Sequence, residues 1–270
     1  MSLFDTGVIP VINDWLAEKA KEERDYGDYW SASSAGYCMR KNIFERLKVP
    51  PVEEDARKHR LFASGHIFHS WAQEITKEAG VSIAQELELI DDDLMIKGHF
   101  DDLVLIDDKL ILYDIKTAHS KWFEYVKDRP MSYYNKLQLG TYMYMLRNNA
   151  QVFANAESKN ILPTHDGTLM PVNLENLTEA RILKISKDDL RMHEQQLMWS
   201  DVLEQEVKDY WSSINEFWTN KEIPPCTCAD YEINSKTKIG FMADPRYNPY
   251  FYDGHPCSLK WYRQWREKNA

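Results

Sequence analysis

Cysteine is scarce in this 270-residue chain, with one copy at Cys38 and three more at Cys226, Cys228 and Cys257. So few thiols, together with an N-terminus (Met1-Ser2-Leu3-Phe4-Asp5) that lacks the basic and apolar regions of an export signal, exclude a disulfide framework. They predict reduced thiols in an intracellular protein, cytoplasmic or within an infected host cell. No apolar run is long enough to span a bilayer, so no membrane partner is expected. No Gly-x-x-x-x-Gly-Lys-Ser/Thr occurs, which leaves this stretch without an ATP-driven motor. Positive charge is in deficit as well: 33 Lys and Arg stand against 43 Asp and Glu, a formal charge of -10. That balance argues against a broadly basic nucleic-acid-binding surface but not against a local groove, because carboxylates that hold a metal are neutralised by it.

What the chain does contain is a pair of strands ending in charge. Leu94, Ile96, Gly98 and Phe100 alternate up to Asp101, and Leu110 to Tyr113 alternate up to Asp114 and Lys116. A period of two puts Asp114 and Lys116 on one face. Asp107-Asp108-Lys109 is a short polar turn, so the strands are expected to pair antiparallel and bring Asp101 beside Asp114. Such a cluster of oxygens suits a hard cation such as Mg2+ or Mn2+. Asp102 alternates to the other face and is expected to be solvated, and Glu86 and Glu88 lie just upstream, outside the expected set.

Two helices flank the hairpin. Leu61 to Ala79 is amphipathic, with His69 at the border of its apolar stripe; a histidine there is either a satisfied core residue or a metal ligand. Lys136 to Arg147 is the second, and it carries Gln138 and Tyr142 one turn apart on a shared face. That pair is either a polar edge or a set of hydrogen-bonding groups aimed at a site.

In order, Gly-x-x-x-His (Gly65 to His69), Gly-x-x-Asp (Gly98 to Asp101), Asp-x-Lys (Asp114 to Lys116) and Gln-x-x-x-Tyr (Gln138 to Tyr142) resemble the motif series of RecB-type nucleases of the PD-(D/E)xK superfamily. The resemblance spans about 61–160 if the stretch from Val152 to Lys159 is the lysine-bearing strand of phage-type and YqaJ-like members. It implies an α/β fold with a restriction-endonuclease-like core, in which a central mixed sheet is flanked by helices, with helical additions at both ends. It further implies that His69, Asp101, Asp114 and the Ile115 carbonyl hold one or two metal ions, that Lys116 orients or activates water, and that Gln138 and Tyr142 position DNA.

The four cysteines fall in loop-like contexts, Cys226 and Cys228 after a helix and a Pro-Pro pair, Cys257 in Asp-Gly-His-Pro-Cys. One cysteine near the start and three near the end resemble the iron-sulfur subgroup of these nucleases, the AddB-like and CRISPR-associated exonucleases. There a [4Fe-4S] cluster ties the chain ends together. This chain departs from that pattern: the second pair is Cys-x-Cys, Cys257 is distant, and Met39 follows the first cysteine. A zinc site remains the alternative, with His255 nearby. The expected organisation is a single nuclease domain, 1–270, in which segments 30–50 and 222–270 meet at the cysteines.

The activity this implies is metal-dependent DNA exonuclease action on single strands or duplex ends, in recombination, repair or replication, with protein partners in such an assembly. The alternatives are a catalytically silent DNA-end-binding or scaffold subunit of a recombination or CRISPR-adaptation assembly, and a structure-specific endonuclease. Arg40, Lys41, Arg46, Arg57, Lys58, His59, Arg60, Lys121 and Lys136 are the expected groove cations. Trp122, Phe123, Tyr133 and Tyr134 are expected in a loop, as stacking platforms for unpaired bases. Asn13 to Arg24 is expected to be a polar helix. Between Leu177 and Asn220 a long helix is expected, carrying Leu190, Leu197, Leu203, Val207, Trp211, Ile214 and Trp218.

Overall fold

The computed structural model describes residues 7–20, 26–52, 56–148, 161–165, 168–228, 249–252 and 255–269. In chain order these form α1 (Val8–Ala20), β1 (Trp30–Ser31), a 3-10 turn (Ala32–Ser34), α2 (Met39–Arg46) and α3 (Ala56–Glu78). Strands β2 (Ser82–Gln85), β3 (Glu88–Asp91), β4 (Ile96–His99), β5 (Asp102–Ile106) and β6 (Lys109–Ala118) follow, then α4 (Ser120–Val126) and α5 (Tyr133–Arg147). The remainder is β7 (Ile161–Pro163), β8 (Leu169–Pro171), β9 (Glu179–Ser186), β10 (Met192–Met198), α6 (Asp201–Thr219), β11 (Phe251–Tyr252), β12 (His255–Pro256) and α7 (Leu259–Asn269). The strand expected over Val152 to Lys159 lies outside the described residues.

A five-stranded mixed sheet, ordered β10-β9-β6-β5-β2, carries the fold. Its middle strand, β6, is apolar on both faces from Leu110 to Tyr113, the pattern of a strand covered on both sides. β6 pairs antiparallel with β5 and parallel with β9, so the chain must cross over between β6 and β9, and α4 and α5 lie in that crossover. A smaller sheet, β1-β4-β3, stands beside it.

Helix α5 is buried continuously from Leu137 to Leu146, as expected of a helix enclosed on all sides. Gly140 lets α6 approach: a Cβ there would lie 2.8 Å from Leu203 Cδ1. Gly98 does the same for β4, where a Cβ would meet Ala32 Cβ at 2.6 Å and Tyr142 Cε1 at 3.1 Å. Real Cβ atoms do not approach that closely, so glycine in the Gly-x-x-Asp motif is a packing requirement.

The long helix expected across Leu177 to Asn220 is two elements. Its first half is the β9–β10 hairpin, with Leu190 exposed in the turn at φ 59° and Leu197 opposite Ala180. Only Leu203, Val207, Trp211, Ile214 and Trp218 are helical, on α6. The helix starts where the Ser200 side chain accepts a hydrogen bond from the Leu203 N–H at 3.2 Å, with Asp201 and Glu204 in its first turn. Pairing of β9 with the buried strand β6 outweighs the helix-compatible leucine spacing. The polar helix expected from Asn13 to Arg24 begins earlier, at Val8, and runs through Ala20, its last four expected residues lying outside the described ones.

Candidate active site

Asp101 occupies the bend between β4 and β5, and Asp114 and Lys116 occupy the C-terminal half of β6. The register pairs Asp102 with Tyr113, which leaves Asp101 and Asp114 side by side just beyond the last β5–β6 pair. Because β5 has ended there, the Ile115 N–H has no strand partner on that side and donates instead to Asp101 Oδ2 at 2.6 Å. In a strand the N–H and C=O of one residue point to the same side, so the Ile115 carbonyl faces the same gap. The expected antiparallel hairpin and the Asp101–Asp114 neighbourhood are both present.

The flanking helices close the site. His69 on α3 places Nδ1 3.5 Å from Asp101 Oδ2. On α5, Gln138 Nε2 donates to Asp114 Oδ1 at 3.1 Å, and Lys116 Nζ lies 3.0 Å from both Asp114 oxygens. Tyr142, one turn beyond Gln138, lines the same cleft of about 210 Å³. The seven positions singled out from the sequence, His69, Asp101, Asp114, Ile115, Lys116, Gln138 and Tyr142, therefore converge.

Three further residues join them without having been singled out. Gln73 donates to the Asp101 carbonyl at 2.8 Å and to Glu86 Oε1 at 3.0 Å. Its signal was present in the sequence, since Gln73 follows His69 by four residues and so shares its helical face. Glu86 turns into the cleft from a left-handed backbone, φ 52°, which costs a non-glycine residue about 1 kcal/mol. His66 lines the cleft one turn before His69.

Asp102 corrects the sequence expectation. It is 1% exposed, accepting from Thr76 Oγ1 at 2.5 Å, Ser82 Oγ at 2.5 Å and Gln85 Nε2 at 3.0 Å. The face it points to is covered by α3 rather than water, so it knits α3 to β2 and β5. Burial raises its pKa, and the three hydrogen bonds oppose that rise.

The electrostatics of the cleft are those of a site short of positive charge. Burial, then repulsion from Asp114, push the Asp101 carboxyl up to about 8. Burial works to lower the Lys116 pKa, but Asp114 and Asp101 outweigh it and hold the ammonium above its ordinary range. Burial and Lys116 lower His69, which favours the neutral imidazole that can ligate a metal. Burial and the two carboxylates raise Tyr142 far above the usual phenol range, so it keeps its proton. Among the described residues Asp114 Oδ2 is buried and accepts no hydrogen bond, its close cation being Lys116 Nζ at 3.0 Å. An orphaned carboxylate oxygen beside a second carboxyl, a neutral imidazole and a free-facing carbonyl is a donor set that fits a hard divalent cation.

Several expected groove cations have structural partners instead. The Arg46 guanidinium carbon lies 4.3 Å over the Trp30 ring and 4.4 Å over Trp218. Lys41 is buried against Glu45 at 2.9 Å, Arg40 donates to the carbonyls of Pro224 and Cys257, and Lys136 pairs with Glu206 at 2.5 Å. Trp122 and Phe123 lie on α4, where Phe123 is buried, and Tyr133 and Tyr134 open α5, so none of the four is in a loop.

The cysteines do meet. Cys38, just before α2, joins Cys226, Cys228 and Cys257 with all four ligand atoms within 4.8 Å of one another. Sγ of Cys38 and Cys226 are 3.9 Å apart, those of Cys228 and Cys257 3.7 Å, and the Thr227 N–H points to Cys38 Sγ at 3.4 Å. An apolar shell of Phe44, Val49, Tyr250, Tyr252 and Tyr262 surrounds them. Four sulfurs this close, three of them buried, cannot all become thiolates without a cation to offset their mutual repulsion. The donor types suit a tetrahedral ion or an iron-sulfur cluster.

Residues 15–229 match the family model described as the PD-(D/E)XK nuclease superfamily. Curated protein sequences give no match. Among solved structures, the chain is similar to that titled "Crystal structure of SSO0001", at 16% identity and TM-score 0.49, over 82% of this chain and 90% of that one. It is also similar to "Crystal Structure of LHK-Exo in complex with dAMP", at 16% identity and TM-score 0.47, over 77% of this chain and 93% of that one.

Proposed function

Because this chain belongs to the PD-(D/E)XK nuclease superfamily, we propose that it is a Mg2+- or Mn2+-dependent DNA exonuclease acting at single-stranded or duplex ends in recombination, repair or replication. The observation that carries this reading is the pairing of Asp101 with Asp114, one carboxyl pushed up to about 8 and the other with an orphaned oxygen, across from a charged lysine. His69, Asp101, Asp114 and the Ile115 carbonyl would hold the metal, and Glu86 adds a carboxylate on the α3 side. A bound divalent cation supplies charge neutralisation of the phosphodiester and a lowered pKa for attacking water.

The protein groups supply the rest. Lys116 is held as an ammonium by Asp114, so at neutral pH it acts as a hydrogen-bond donor to the developing charge and orients water rather than deprotonating it. Gln138 fixes the Asp114 carboxylate through Oδ1 and leaves Oδ2 for the cation. Tyr142 keeps its proton and can donate to a phosphate oxygen. At the cysteines we propose a second, structural metal centre that clasps Cys38 to the C-terminal segment. Its occupant is the [4Fe-4S] cluster that the subgroup resemblance implies, with a single tetrahedral zinc as the alternative.

The test is degradation of linear single-stranded, linear duplex and circular single-stranded DNA with Mn2+ or Mg2+, by the native protein and by Asp114→Ala and Lys116→Ala. Loss of linear substrate, with the circle intact and both variants at least 100-fold slower, is expected. Cutting of the circle would make it an endonuclease. If the native protein degrades nothing and Asp114→Ala is indistinguishable from it, the enzyme reading is wrong.

A further inference from the structure

A second cavity, of about 430 Å³, opens beside the cleft and is walled almost entirely by apolar and aromatic groups. Tyr37, Tyr133, Tyr134, Met39 and Phe217 form its sides, and Pro224 and Pro225, leading into the Cys226–Cys228 loop, form its far wall. Nothing in the proposed chemistry uses it.

Its position is set by α5. Tyr134, Gln138 and Tyr142 recur every four residues and so form one stripe along that helix. Gln138 holds Asp114 and Tyr142 lines the cleft, so Tyr134 carries the same stripe into the apolar cavity one turn, about 6 Å, from Gln138. That step matches the spacing of adjacent nucleotides along an extended strand.

The cavity is shaped for a flat ring. Tyr37 and Tyr134 lie 5.5 Å apart and within 14° of parallel, offering a ready stack. Gly36, at φ 75°, brings that pair together, since a Cβ there would lie 2.6 Å from the Tyr134 Cα. Tyr133 at the rim is 56% exposed and presents an open ring face. Ser132 supplies one polar atom: its Oγ is buried and without a hydrogen-bond partner among the described residues, although Ser132 is the N-cap of α5.

We propose that this cavity is a nucleobase subsite, which takes the unpaired base of the DNA nucleotide next to the scissile phosphate, stacked on the tyrosines. The proposal rests on the nuclease reading. A base can enter only when its face and pairing edge are released, so the subsite selects single strands or frayed ends over intact duplex. Stacking on an aromatic side chain accepts any base, so little sequence preference is expected.

The experiment combines a substrate change with a protein change. Binding of a short single-stranded oligonucleotide is measured with the full-length protein in Ca2+, against a series in which a single abasic position is moved along the strand, and cleavage of the same series is measured in Mn2+. The native protein should lose about 5- to 100-fold in affinity when the abasic position falls next to the cleaved bond, and little elsewhere. Tyr133→Ala should bind the intact strand more weakly and lose that position-specific penalty, while Tyr133→Phe should restore it. Thermal melts of both variants check that the exposed Tyr133 position leaves the fold intact. If the strand is cleaved but no abasic position matters, or the penalty persists in Tyr133→Ala, the subsite is wrong and the nuclease reading stands. If no DNA is bound or cleaved, both are wrong.

Discussion

Metal binding should expel a proton from Asp101, and the structure sets how much. With its carboxyl pushed up to about 8 by burial and by Asp114, Asp101 is protonated in about nine molecules of ten at pH 7. A carboxyl must ionise to ligate a divalent cation. His69 adds little, because burial lowers its pKa and the imidazole is already neutral. Binding of Mn2+ should therefore release about 0.9 proton at pH 7, about 0.5 at pH 8 and about 0.1 at pH 9. Isothermal titration at each pH, in two buffers of different ionisation enthalpy, reads that number from the difference in apparent heat. Release below about 0.2 at pH 7, or release that does not fall with pH, would refute the raised pKa of Asp101. The same group has a stability signature. Its folded pKa is raised above the ordinary 3.8, so the metal-free folded state binds more protons than the unfolded chain between about pH 4 and pH 8. The contribution is complete below that window and is lost as pH rises through about 8, and saturating Mn2+ should flatten or reverse the slope.

The motif glycines should behave oppositely. Gly98→Ala forces a Cβ into Ala32 and Tyr142 and should cost about 1–3 kcal/mol, or roughly 2–10 °C in melting temperature, with weakened Mn2+ affinity. In Gly65→Ala the added Cβ meets only Thr117 Oγ1 at 3.7 Å in the middle of α3, so stability should rise by about 0.5–1 kcal/mol; matching shifts in the two melts would undo this contrast. Asp102→Ala removes three hydrogen bonds to one carboxylate, from Thr76, Ser82 and Gln85, each of which keeps another partner, and should lower stability by about 1–3 kcal/mol while leaving the stoichiometry of bound Mn2+ unchanged. For the cysteine centre, metal analysis of anaerobically purified protein should find four irons per chain with a broad visible absorption band; one colourless zinc per chain would show a single tetrahedral ion instead.

Much of the site could be read along the chain because its ligands sit at strand and helix positions whose periodicity is local. Alternation alone puts Asp114 with Lys116, a polar turn brings Asp101 back beside them, and a four-residue interval joins Gln138 to Tyr142. Where the sequence misled, a distant partner had intervened. Leu190 and Leu197 fit a helix until β10 pairs with β9, which is itself held by β6. Asp102 looks like a surface carboxylate until α3 covers it, and Arg46 looks like a phosphate ligand until Trp30 and Trp218 enclose it.

The sequence by itself determined the identities and local order of the ligating groups, and with them the chemistry the hairpin can hold. Helix and strand periods follow from backbone geometry, which needs no knowledge of what lies across the fold. Only the tertiary structure decided which carboxylate is starved of charge, that Gln73 and Glu86 belong to the cleft, and that Gly36, Tyr37 and Tyr134 frame an aromatic cavity one helical turn away. It also decided that cysteines 188 and 219 residues apart from Cys38 (226 − 38 and 257 − 38) lie within 4.8 Å of it and of each other. Burial, electrostatic repulsion and close contact are properties of groups brought together through space, and no spacing along the chain encodes them.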